Sequence, residues 1–114
     1  MRKFRVAVST KGEKGLEDEV SEVFGKAKTI TIIDMVSGQV KNVHVLQNPA
    51  ASYHFGAGPI LVKTLVDMKV GVVVASELGL GASALIEDNK IVKVTMKPGT
   101  LVKDAVKLVQ SQFS

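Results

Sequence analysis

The chain has 114 residues, of which 46% are hydrophobic and 23% are charged. This size and composition are typical of a single globular domain over residues 1–114 and argue against extended disorder. The chain contains no cysteine, which excludes disulfides, Cys-rich zinc sites and clusters held by thiolates. No apolar run reaches the roughly 18 residues that a membrane-spanning helix needs, so we expect a cytoplasmic protein with no membrane partner.

The formal net charge of +4, from 15 Lys and Arg against 11 Asp and Glu, favours anionic partners. The basic residues are spread along the chain, however, and do not predict a uniform nucleic-acid-binding face. Only four Phe and one Tyr are available to stack bases, whereas sequence-tolerant single-strand binding usually uses several rings. We therefore expect no nucleic-acid partner.

The first predicted strand covers residues 4–9, where apolar and small side chains alternate. A short helix is predicted over residues 17–24, with the acidic side chains of this segment on its solvated face and Gly25 as its end. Its apolar residues recur at three- and four-residue spacing, as on a buried helix face: Val20, Val23 and Phe24.

Two segments rich in β-branched residues, 29–35 and 39–46, flank residues 36–38 and predict a β-hairpin. A helix is predicted to start after Gly56 and to run to about residue 69, with Pro59 in its first turn, where the missing N–H costs nothing. The segment 70–75 has no polar alternation and predicts a strand that is buried on both faces.

A second helix is predicted over residues 82–88, a fifth strand over 90–95, and a final helix capped by Thr100. The final helix buries one apolar face: Val102, Ala105, Val106, Val109 and Phe113. The element order predicts an α/β fold with a five-stranded mixed sheet flanked by helices.

The loop 47–59 leaves a strand and enters a helix, so free backbone N–H groups at the helix start are expected to point into it. Gly56 and Gly58, with Ala57 between them, allow a ligand to approach the backbone closely. Free N–H donors and an accessible backbone suit an anionic ligand. His54 precedes the glycines, where a neutral imidazole can ligate a metal and a protonated one can pair with negative charge. The alternative is a histidine that packs over the helix end and bonds to a carbonyl.

A second glycine pair, Gly79 and Gly81, follows the buried strand and precedes a helix. Ligands of open α/β sheets gather outside the carboxyl ends of the strands, so we expect the loops 10–15, 47–59 and 76–83 to share one rim.

Neither glycine pair has the third glycine of a dinucleotide-binding fingerprint, because Leu61 and Ala84 occupy that position. Classical NAD or ATP binding is therefore not predicted. The other histidine, His44, is predicted to lie on the surface of a strand.

Four motifs follow one another along the chain: VSEVFG at 20–25, NPA at 48–50, GAGP at 56–59 and GLG at 79–81. Because it has these motifs in this order, the chain resembles the dinitrogenase iron–molybdenum cofactor biosynthesis family over nearly its whole length. The resemblance implies a ribonuclease-H-like α/β fold and a protein that binds, carries or protects a metal–sulfur cluster or its precursor during cofactor assembly. It implies a binding protein rather than an enzyme, with the cluster and an acceptor or scaffold protein as partners.

The candidate cluster-binding residues lie in the two glycine loops: Asn48, Pro49, His54, Gly56, Ala57, Gly58, Gly79 and Gly81. The metal-ligand role of His54 is inferred from its chemistry and not from the resemblance. Without cysteine, a cluster would be held by electrostatics, backbone N–H groups and imidazole, which suits the reversible binding of a carrier.

Two other functions remain open at the same rim. One is a small-molecule or phosphate-binding enzyme, and the other is a regulatory interaction module that uses a sheet edge or the acidic helix. A two-metal nuclease is not predicted, because the first strand, residues 4–9, contains no carboxylate to anchor a metal.

Overall fold

The computed structural model describes residues 3–113, and in this range a five-stranded sheet lies between helices. The strands are β1 (Lys3–Thr10), β2 (Thr29–Val36), β3 (Gln39–Gln47), β4 (Val70–Ala75) and β5 (Val92–Thr95). The helices are α1 (Ala57–Asp67), α2 (Leu80–Asp88) and α3 (Val102–Phe113), with a 3-10 turn at Gly15–Glu17. The predicted α/β class and five-stranded sheet are confirmed. The ends of the predicted domain, residues 1–2 and 114, lie outside the described range.

The strand order is β3-β2-β1-β4-β5. β1 pairs antiparallel with β2 and parallel with β4, and β5 is parallel to β4. β2 and β3 form the predicted hairpin. Its turn residues Ser37 and Gly38 have φ angles of 51° and 81°, as a two-residue turn of type I′ requires. This mixed order fits the ribonuclease-H-like arrangement that the resemblance implies.

Hydrophobic clusters cover both faces of the sheet. α1 and α2 pack on the face that contains Ile32 and Val73, whereas α3 packs on the face that contains Ile33 and Val74. Adjacent strand residues point to opposite faces, so the neighbours Ile32 and Ile33, like Val73 and Val74, pack into different layers of the core. The prediction that β4 is buried on both faces is confirmed.

The predicted helix over residues 17–24 is wrong, because this segment pairs with distant strands and loops instead. The backbone N–H of Val20 donates to Thr100 O at 2.8 Å, that of Ser21 to Ser9 O at 2.8 Å, and that of Phe24 to Glu77 O at 3.0 Å. These long-range bonds satisfy the backbone groups that a helix would pair locally.

The burial of this segment differs from the predicted helix accordingly. Val20 and Phe24 are buried as expected, but Val23 is exposed. Asp18, expected on a solvated face, is buried, and its carboxylate accepts hydrogen bonds from the backbone N–H groups of Lys14 at 2.9 Å and Glu19 at 2.7 Å. Such local side-chain bonds to the backbone compete with helix formation.

The predicted cap of α3 is also wrong. Leu101 O accepts the helix-starting bond from the N–H of Ala105 at 3.1 Å, so Leu101 and not Thr100 occupies the capping position. The carbonyl of Thr100 pairs with Val20 instead. Within residues 3–113, no helix is long and apolar enough to cross a membrane.

Candidate functional site

Three loops meet at one end of the sheet. β1, β4 and β5 are parallel, and β3 runs in the same direction because β2 is antiparallel to both β1 and β3. The segments 10–15, 47–59 and 76–83 therefore all leave the same end of the sheet, as predicted. We call it the loop end, and both glycine loops lie there.

Asn48 fixes the loop between β3 and α1. Its side chain is buried, and its Nδ2 donates to the carbonyls of Gly25 at 3.1 Å and Ala27 at 2.9 Å. Its Oδ1 accepts from the N–H of Ala50 at 2.9 Å. These bonds are all made to the protein, so the structure gives Asn48 a positioning role. Pro49, beside it, is exposed.

Two of the predicted site glycines allow the backbones of α1 and α2 to approach each other. A Cβ atom at Gly58 would lie 3.1 Å from the Cβ of Ala82, and one at Gly81 would lie 3.1 Å from the Cγ of Pro59. Both distances are shorter than ordinary van der Waals contact. Gly58 and Gly81 therefore bring the first turns of the two helices together.

The other two glycines stand open at the helix starts. Gly56 and Gly79 are the N-caps of α1 and α2, with φ angles of 72° and 70°, and no side chain in the described part of the chain caps either helix. Apart from the glycine and its two chain neighbours, no heavy atom of residues 3–113 would lie within 4 Å of a Cβ atom at either position. The two positively polarised helix ends thus face solvent side by side at the loop end.

The helix starts differ in the number of N–H groups that lack an intrahelical acceptor. In α1, Pro59 has no N–H, which leaves those of the buried Ala57 and of Gly58. In α2, the bond from Ser83 N to Gly79 O closes the first turn. This leaves the N–H groups of the exposed Leu80 and Gly81 and of the buried Ala82 without an intrahelical acceptor, so α2 has more free donors in exposed residues than α1.

His54 is exposed in the loop before Gly56, at the loop end. Within residues 3–113, no three His, Asp or Glu side chains group closely enough to hold a metal ion. In this range, His54 is therefore not part of a protein site with three such ligands. His44 is exposed on β3, as predicted, and pairs with Ile32.

A basic depression of about 410 Å³ lies beside β1 at the loop end. Its lining includes three lysines and one carboxylate, Lys11, Lys26, Lys28 and Glu22, together with Ser21. The Ser21 side chain is buried, and its Oγ has no hydrogen-bond partner among the described residues. The ammonium group of Lys26 donates to the carbonyl of Tyr53, which ties the depression to the loop that carries His54. None of these lysines is among the site residues predicted from the sequence, although Lys26 and Lys28 lie just before β2, which starts at this end.

Large apolar side chains surround the two helix starts. Phe55 precedes the cap of α1 and is 90% exposed, and Leu80 follows the cap of α2 and is 92% exposed. Tyr53 is also exposed. None of the three is among the site residues predicted from the sequence. For Phe55 and Leu80, the sequence signal is an apolar residue directly beside a glycine cap.

A known protein family matches the chain over nearly its whole length. The family model described as dinitrogenase iron–molybdenum cofactor matches residues 2–112. The chain belongs to this family. The dinitrogenase iron–molybdenum cofactor family assignment confirms the resemblance in the sequence motifs and agrees with a binding protein rather than an enzyme.

Solved structures share the fold of this member of the dinitrogenase iron–molybdenum cofactor family. The apo form of the orange protein from Desulfovibrio gigas is 24% identical, with a TM-score of 0.81, over 95% of this chain and 88% of that chain. A Thermotoga protein provisionally assigned as NifB is 30% identical, with a TM-score of 0.74, over the same shares of the two chains. No curated protein matches the chain.

Proposed function

We propose that the protein binds and carries an anionic metal–sulfur cluster, an iron–molybdenum cofactor precursor or a related molybdenum or iron cluster, during cofactor assembly in the cytoplasm. The cluster is its cargo, which it passes to an acceptor or scaffold protein. The observation that carries this proposal is the pair of exposed helix starts at Gly56 and Gly79, in a chain of this family. Their N–H groups attract negative charge without a thiolate ligand.

The lysine-lined depression adds positive charge on the β1 side of the same end. Among residues 3–113, Lys28 takes part in no ion pair, whereas Lys11 lies 3.1 Å from Glu19. Ser21 offers a hydroxyl without a partner at the wall of the depression. These groups attract a polyanion toward the loop end and hold it reversibly.

The exposed apolar residues have a role in the same proposal. Phe55 and Leu80 flank the N–H groups that face the cluster. Apolar side chains over a bound polyanion exclude water and lower the local dielectric constant, which strengthens its attraction to backbone dipoles. His54 supplies the one imidazole of the loop as a metal ligand.

Anaerobic gel filtration tests the proposal. The protein is mixed without oxygen with tetrathiomolybdate and, separately, with a synthetic iron–molybdenum–sulfur cluster. We expect a visible charge-transfer absorption band to co-elute with the protein. The His54→Ala variant should bind the cluster about tenfold more weakly.

The matched control is His44→Ala, which removes the other exposed histidine, from β3, and should leave binding unchanged. Failure of every cluster to co-elute would contradict the proposal. A second measurement adds inorganic phosphate and follows the melting temperature. A ligand that binds only the folded state stabilises it. If phosphate raises the melting temperature and the clusters do not, the phosphate-binding alternative gains support.

A further inference from the structure

A second basic cleft lies at the end of the sheet opposite the loop end. Its volume is about 520 Å³, and its charged lining residues are Lys3, Arg5, Asp34, Lys41 and Lys69. β1 and β3 begin here, β2 ends here, and α1 turns into β4. The cleft is therefore separated from the proposed cluster site by the length of the sheet.

The sheet is irregular at this cleft. Asp34 pairs with Asn42 and Met35 pairs with Val40, so Lys41 is an extra residue in β3. A second register shift lies between Arg5 and Val6, where β1 pairs with β4. β-Bulges are common beside functional sites, where they redirect a side chain. The bulge at Lys41 occurs where β3 lines the cleft.

The guanidinium group of Arg5 is held in place at the cleft. Its Nε lies 2.8 Å from Asp34 Oδ1, and its Nη1 donates to the carbonyl of Met68 at 2.9 Å. These bonds use two of the five N–H donors of an arginine. The planar group is thus oriented before any ligand binds, which lowers the entropic cost of binding.

Three ammonium groups at the cleft are not neutralised. No ion pair found in the part of the chain from residue 3 to residue 113 involves Lys3, Lys41 or Lys69. Because Asp34 balances Arg5, these lysines give the cleft its net positive charge. Phe4 and Val36 add apolar surface to the lining.

We propose that this cleft binds a phosphorylated organic molecule of about nucleotide size. The three lysines match a ligand with several negative charges, and the oriented guanidinium group of Arg5 matches the oxygens of a phosphate group. The apolar lining contacts the organic part. The volume lies within the roughly 300–1,000 Å³ of small-molecule pockets.

Amide chemical-shift mapping tests this proposal on the ¹⁵N-labelled full chain, with ATP, pyrophosphate and adenosine as separate probes. We expect ATP to shift the amides of residues 3–5, 34–42 and 69, and to bind more tightly than pyrophosphate or adenosine. The double variant Lys41→Gln/Lys69→Asn should lose about tenfold in affinity. Asn is chosen at position 69 because the backbone φ there is 60°, a region that Asn tolerates.

The double variant Lys97→Gln/Lys107→Gln is the charge-matched control, since both residues are exposed lysines that do not line the cleft. It should leave ATP binding unchanged. Equal affinity for pyrophosphate and ATP would overturn the proposal of an organic ligand. If ATP shifts no amide signals at the cleft, or only those at the loop end, the proposed site is wrong.

Discussion

Gly25 and Gly58 are in such close contact that a Cβ atom at Gly25 would lie 2.6 Å from the backbone nitrogen of Gly58. This contact places the chain before β2 directly against the first turn of α1. The same chain segment is held by Asn48, which bonds to the carbonyl of Gly25. The position of the α1 start therefore depends on a glycine that lies far from it in the sequence.

The Gly25→Ala substitution should destabilise the protein by about 1–3 kcal/mol, because the new methyl group would overlap backbone atoms that cannot move independently. Urea denaturation measures the loss. Gly71→Ala is the matched control, since a Cβ there would meet the Cβ of Phe4 at 3.8 Å, an ordinary contact. It should change the free energy of unfolding by less than about 0.5 kcal/mol. Equal effects of the two substitutions would show that the contact is not restrictive.

The Leu80→Asp substitution should raise the stability of the protein and lower its affinity for the cluster. A carboxylate in the first turn of α2 interacts favourably with the helix dipole, by about 0.3–1 kcal/mol, and the leucine that it replaces is nearly fully exposed. The same charge repels an anionic cluster, so affinity should fall about tenfold. Thermal unfolding and anaerobic gel filtration measure the two effects.

The isosteric control is Leu80→Asn, which removes the apolar side chain without adding charge. Its cluster affinity should lie between those of the original protein and the Asp variant. If the Asp variant binds the cluster as tightly as the Asn variant, the start of α2 does not contact the anion.

Ser21 and Ser9 form a second matched pair. Both side chains are buried, and neither Oγ has a hydrogen-bond partner within residues 3–113. Replacing either with Ala removes an unsatisfied hydroxyl, so we expect stability to stay constant or to rise by about 1 kcal/mol. Only Ser21 lines the basic depression. Ser21→Ala should therefore weaken cluster binding and Ser9→Ala should not, and calorimetric unfolding with cluster titration distinguishes the two.

The elements that were predicted correctly are those whose signal is local. The hairpin follows from β-branched segments around a turn, β4 from an unbroken apolar run, and α1 from Pro59 after a glycine. The failure over residues 17–24 has a physical cause. The spacing of Val20, Val23 and Phe24 matches a helix, but the backbone of the segment pairs with Ser9, Glu77 and Thr100. Partners so distant in the sequence leave no local signal.

The candidate site also combines features that have a local sequence signal with features that have none. The glycine loops could be located from the sequence, because helix starts and strand ends have local patterns. The separate roles of the four glycines could not be predicted. Gly58 and Gly81 differ from Gly56 and Gly79 only in the neighbouring atoms that a Cβ would meet in the folded chain. The exposure of Phe55 is likewise a tertiary property, because an apolar residue is ordinarily expected to be buried.

The central position of β1 affects the order in which the chain can fold. Its antiparallel partner β2 follows soon in the sequence, whereas the parallel pairing of Arg5 with Val70 must wait for the whole intervening segment. Closing a long loop costs entropy before any contact compensates for it, and such non-local pairing slows folding. During synthesis on the ribosome, the three N-terminal strands would thus emerge as a meander whose β1 edge stays uncovered until β4 arrives.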